Sequence, residues 1–140
     1  MKIMVSACLL GENCKYSGGN NKSEKVLKFV EGHEVIPVCP ELEGGLPIPR
    51  DPAEIVNGVV TTCNGVVVDK EYRTGAQICL AEAKEKKIDL AILQSRSPSC
   101  GVKQIYDGTF SKTKIDGQGI FAKLLQEAGF KILDLEDIQE

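Results

Sequence analysis

Asp89-Leu90-Ala91-Ile92-Leu93-Gln94-Ser95-Arg96-Ser97-Pro98-Ser99-Cys100-Gly101 is the stretch from which the fold is read. Its first half is apolar at consecutive positions, with no alternation. That predicts a strand over Asp89 to Gln94 that is buried on both faces. Its second half turns directly into Ser, Pro and Gly and carries a cysteine. The same grammar occurs twice more upstream. Lys2 to Val5 reads as a short buried strand, followed about three residues later by Cys8. Glu34 to Val38 reads as a second strand, ended by Cys39.

Helical patterns lie between these strands. Ser23 is placed to cap a helix over Glu24 to Glu31, with Val26, Leu27, Phe29 and Val30 as its apolar face and Gly32 beyond its end. Lys70 to Lys87 predicts the longest helix, with Tyr72, Ile78, Cys79 and Ala83 turned inward. Gly119 to Ala128 predicts an amphipathic helix closed by Gly129, and Lys131 to Leu135 a last strand. Strands alternating with helices imply a mainly parallel sheet with helices on both faces. The expectation is an α/β, single three-layer domain over residues 1–140.

Between Pro40 and Lys70 the pattern breaks. Pro40 to Pro49 is rich in Gly and Pro and reads as loop. Asp51-Pro52-Ala53-Glu54 carries the signals of a helix start, and Asn57-Gly58 makes that helix short. Val59 to Thr62 and Val66 to Asp69 flank Cys63-Asn64-Gly65, which predicts an inserted β-hairpin. Ser95 to Ser111 reads as loop.

Composition narrows the function. Of the 140 residues 42% are hydrophobic, enough for a core, while a net charge of −3 gives no grip on a long nucleic-acid backbone. No stretch approaches the roughly 18 apolar residues of a membrane span. The apolar start Met1 to Leu10 is short and reads as a strand, not a secretion signal, so the expected location is cytoplasmic. There, six cysteines point to metal binding or catalysis ahead of disulfides.

In an open parallel sheet the loops after the strands leave at one edge, where ligands bind. Cys8, Cys39 and Cys100 are therefore delivered to one place. Three thiolates suit a 4Fe-4S cluster whose fourth iron is open to an outside ligand. The residues alone leave zinc and a bare thiol site as alternatives. Cys14 competes for a ligand role because its loop follows Cys8. Cys79 reads as core, and Cys63 stands near the hairpin tip without a visible partner. Glu41, two residues past Cys39, is a candidate acid or base, and Ser97 and Ser99 flank Pro98 before Cys100. His33 is the only histidine and fits no triad. Gly18-Gly19 and Gly44-Gly45 match no phosphate loop.

Three ordered motifs then carry a resemblance. They are Val5-Ser6-Ala7-Cys8-Leu9-Leu10-Gly11; Val38-Cys39-Pro40-Glu41 with Gly44-Gly45-Leu46-Pro47 and Pro49-Arg50; and Ser97-Pro98-Ser99-Cys100-Gly101 with Tyr106-Asp107-Gly108-Thr109-Phe110. Together with Gly117-Gln118-Gly119 they resemble a bacterial and archaeal family of thiouracil desulfidases. The resemblance implies a 4Fe-4S cluster on Cys8, Cys39 and Cys100, with catalytic roles for Glu41 and for a serine of the Ser-Pro-Ser-Cys motif. Ser97 is expected in that role and Ser99 in substrate binding. A related longer form acts on thiolated tRNA, and this chain is expected to act alone on a small-molecule thiopyrimidine. The implied reaction is non-redox: water replaces sulfur, and uracil and hydrogen sulfide leave. A sulfur-sensing protein without turnover and a thiol redox protein using Cys8 and Cys14 are the rivals.

Overall fold

Lys2–Ser6 forms β1, and every residue after Lys2 in it is buried. It is an inner strand. The computed structural model, which describes residues 1–138, pairs it in parallel with β2 (Glu34–Val38) on one side and β5 (Leu90–Leu93) on the other. β8 (Ile132–Asp134) joins β5, also in parallel, giving a four-stranded sheet in the order β2-β1-β5-β8.

Side chains alternate across this sheet and build two cores. Met4, Ala91 and Leu93 face α3 (Asp69–Lys86) and α4 (Ile120–Glu127), packing with Ala76, Cys79, Leu80, Phe121 and Leu125. Ile3, Val5, Leu90 and Ile92 face the other way, against Leu9 and against Val26 and Val30 of the α1 (Glu24–Phe29) region. Helices therefore cover both faces, as the consecutive apolar runs require. Ser23 caps α1 through its hydroxyl, which accepts from the Val26 N–H at 3.3 Å.

The structure corrects the sequence reading at several places, one being Phe29, expected on the apolar face of α1 and 38% exposed. Residues 40–49 are not all loop, because Pro40–Glu43 forms one helical turn, α2. No helix starts at Asp51. Ala53–Val56 is a strand, β3, antiparallel to β4 (Val59–Thr62). Ile55 and Val56 pair with Val60 and Val59 across Asn57-Gly58, both at positive φ. Cross-strand pairing of β-branched residues thus overrides a local helix signal. The regular hairpin turns at Asn57-Gly58, and the pairing expected across Cys63-Asn64-Gly65 is present only in brief, as the Thr61–Val67 bridge with the Thr62-to-Val66 and Val68-to-Val60 backbone bonds. The stretch 95–111 is not all loop either: β6 (Gln104–Tyr106) pairs antiparallel with β7 (Lys114–Asp116). Finally, Ile78 is 44% exposed, one position off the buried stripe of α3.

Two glycines fix how α2 meets α3. A Cβ on Gly75 would stand 1.7 Å from the Pro40 carbonyl oxygen, and one on Gly44 would stand 1.9 Å from that of Glu71. Only hydrogen fits at both, so the backbones touch.

Candidate functional site

β1, β2 and β5 all end at one edge of the sheet, and a cavity of about 520 Å³ opens there. Ser6, Cys8, Cys14, Cys39, Glu41, Arg50, Gln94, Ser97 and Cys100 are among the residues that line it. Most come from the end of a parallel strand or the chain that follows it, while Arg50 comes from the segment between α2 and β3. β1 leads into the tight turn Ala7–Leu10, which carries Cys8. β2 ends beside Cys39, the residue that precedes α2. The loop after β5 carries Ser97 and Cys100, and a Cβ on Gly119 would stand 2.4 Å from the Ser99 carbonyl carbon. That contact presses the start of α4 against the Ser99-Cys100 backbone.

The thiols differ in protonation. Cys14 lies beside both Cys39 and Cys8, and its one thiol proton can serve only one of them at a time. Its donation lowers Cys8 to about 7, with the Asn21 amide at 3.6 Å helping and burial and the Glu41 charge opposing. Cys39 is lowered too, first by Cys14, while burial and Glu41 pull the other way. Cys14 itself is raised by the same two contacts. Burial pushes Cys100 well up, and the Glu41 charge adds to it. Cys100 therefore keeps its proton until a metal displaces it.

Glu41 lines the same cavity, and its charge opposes ionisation of Cys8, Cys39 and Cys100. Two partners share its Oε1. The Tyr72 hydroxyl donates to it at 3.3 Å, and the Arg50 guanidinium lies 3.7 Å away. Arg50 is itself only 8% exposed at its side chain and donates to the Cys14 and Pro47 carbonyls. Burial and the Glu41 charge hold the Tyr72 proton in place far above neutrality. Ser97 Oγ accepts from the Ser99 and Cys100 N–H groups at 3.1 and 3.2 Å, which leaves its own proton free to donate.

Of the expected residues, the structure brings Cys8, Cys39, Cys100, Glu41 and Ser97 to the cavity. It does not bring Ser99, which is 0% exposed behind the loop and whose hydroxyl has no hydrogen-bond partner among the described residues. Arg50 and Tyr72 were missed as site residues. Arg50 lay within a quoted motif without a role, and Tyr72 read as core. Cys63 stands exposed at the cavity rim, and Cys79 is buried in the core.

A 4Fe-4S cluster fits this donor set. Three cysteines line the one cavity, two of them shifted toward thiolate. Among the described residues no three His, Cys, Asp or Glu side chains stand close enough to share one metal ion. A cube of iron and sulfide takes each thiolate at a separate corner and does not need such crowding.

Comparison with known proteins points the same way. Residues 3–137 match the family described as 2-thiouracil desulfurase. The Bacillus subtilis (strain 168) protein YbbK, described as uncharacterized, is 40% identical over 148 residues, covering 99% of this chain and 98% of its own length. A solved structure described as the [4Fe-4S]-dependent thiouracil desulfidase TudS superposes with a TM-score of 0.91 at 36% identity. That match covers 98% of this chain and 92% of the other.

Proposed function

The chain belongs to the 2-thiouracil desulfurase family, and on that premise we propose that it hydrolyses a thiouracil to uracil and hydrogen sulfide with the residues gathered in the cavity. Cys8, Cys39 and Cys100 would hold the 4Fe-4S cluster, whose uncommitted iron supplies a soft Lewis acid for a thiocarbonyl sulfur. The reaction balances without electrons: thiocarbonyl and water give carbonyl and hydrogen sulfide.

The side chains divide the remaining work. Glu41 accepts a proton from the attacking water at Oε2, because Oε1 is taken by Tyr72 and Arg50. Ser97 donates its free hydroxyl proton into the cavity and so orients that water. Pro40, Val38 and Tyr72, all buried, give the cavity an apolar wall. Six free thiols support a reducing, cytoplasmic setting. Among the described residues no helix is long and apolar enough to cross a membrane.

The observation that carries this reading is the meeting of three remote cysteines with Glu41 and Ser97 in one cavity. Iron and sulfide analysis of anaerobically prepared protein, with a thiouracil assay, tests it. Wild type should be coloured and release uracil in stoichiometric excess, while Cys8→Ala, Cys39→Ala and Cys100→Ala should lose iron. Colourless wild-type protein with a reversible Cys8–Cys14 disulfide would establish the redox rival instead.

A further inference from the structure

The loop from Asp107 to Thr113, between β6 and β7, is strained and heavily pinned. Phe110 and Lys112 lie at φ +57° and +62°, a left-handed backbone that bulky side chains avoid. Such outliers persist only where their surroundings over-determine them, and they gather at functional sites. Here the surroundings are explicit. Asp107 Oδ1 accepts from the Thr109 N–H at 2.9 Å and from the Thr109 hydroxyl at 2.6 Å. A chain of hydroxyls continues through Ser111 to Thr113, at 2.5 and 2.7 Å.

The strongest pin comes from another hairpin. Glu54, on β3 and only 9% exposed, accepts from both the Gly108 and the Phe110 N–H through Oε1, at 3.0 and 3.1 Å. Gly108 is required for this approach, since a Cβ there would stand 2.7 Å from the Ile55 carbonyl oxygen. A buried carboxylate thus holds a strained backbone. Its effect is to keep the Phe110 ring, 37% exposed, in the wall of the cavity. Neither residue has a part in the bond-breaking chemistry. An aromatic face offered to a cavity suits a planar heteroaromatic ring, which gains by stacking on it.

We propose that Phe110 is the stacking surface for the pyrimidine ring of the substrate, and that Glu54 is the positioning residue that sets its place. The proposal rests on the reading of the cavity as a thiouracil site. It predicts a specific pattern in anaerobically prepared, iron-loaded protein, read by steady-state kinetics with 2- and 4-thiouracil and by calorimetric titration with uracil. Phe110→Leu keeps apolar bulk but loses the ring face. It should raise KM and weaken uracil binding by about tenfold, with a much smaller fall in kcat and unchanged iron content. Phe110→Gly also relieves the positive φ and should do the same while Tm is held. Glu54→Ala should raise KM comparably, Glu54→Gln less, because its amide oxygen still accepts. The Phe110→Leu/Glu54→Ala pair should be no worse than the worse single variant.

Unchanged KM and uracil affinity in both Phe110 variants would overturn the stacking role. Additive effects in the double variant would overturn the role of Glu54. A wild type that binds uracil in a Phe110-dependent way yet releases no sulfide would count against desulfuration and for the stacking surface.

Discussion

Glu41 lines the cavity and commits Oε1 to Tyr72 and Arg50, while no partner is seen at Oε2 among the described residues. That asymmetry is what a positioned base needs, since a carboxylate free to spin would spend much of its time misdirected. Glu41→Gln keeps the shape and both partners but removes the proposed base. Turnover should fall by about 100- to 10,000-fold with iron content unchanged, measured by uracil release against iron per chain. A near-normal rate would take Glu41 out of the chemistry. The cysteines and Glu41 were legible in the sequence because each lies within a few residues of the end of an apolar parallel strand, Cys100 the furthest, in the loop after β5. Tyr72 was not, because its hydroxyl partner lies 31 residues away and its ring spacing on α3 is that of an ordinary core residue.

At the scale of elements, the parallel strands could be read because both of their faces are apolar. β3 could not. Its first residues carry a helix-start signal, and the groups that claim the Glu54 carboxylate, the Gly108 and Phe110 N–H, lie 54 and 56 residues further on. β6 and β7 are three residues each, with β7 exposed throughout, so neither shows a period. The contact between α2 and α3 makes a sharp prediction. Gly75→Ala would push a methyl group into the Pro40 carbonyl, which as backbone cannot swing away. The cost should be about 2–3 kcal/mol, seen as a drop in Tm of roughly 5–10 °C. Because Pro40 sits between Cys39 and Glu41, the same variant should also lose activity in excess of its loss of fold.

Over the whole molecule, the three cysteine ligands proposed for the cluster come from chain segments near residues 8, 39 and 100, joined by the sheet and by a few contacts at the cavity such as Arg50 to the Cys14 carbonyl. A group bound to all of them stabilises the folded state alone. Removing iron with a chelator should therefore lower Tm by about 10 °C, assuming occupancy near a thousandfold over the dissociation constant. Identical melting curves before and after chelation would contradict that coupling. The two antiparallel hairpins stand apart from this frame. They supply Glu54, Phe110 and Lys112 to the cavity, while the sheet edge supplies Cys8, Cys39 and Cys100. Reactivity and selectivity are thus carried by separable parts of one small chain. Rewriting the seven residues between β6 and β7 should redirect which ring is accepted and leave the sulfur-handling apparatus as it was.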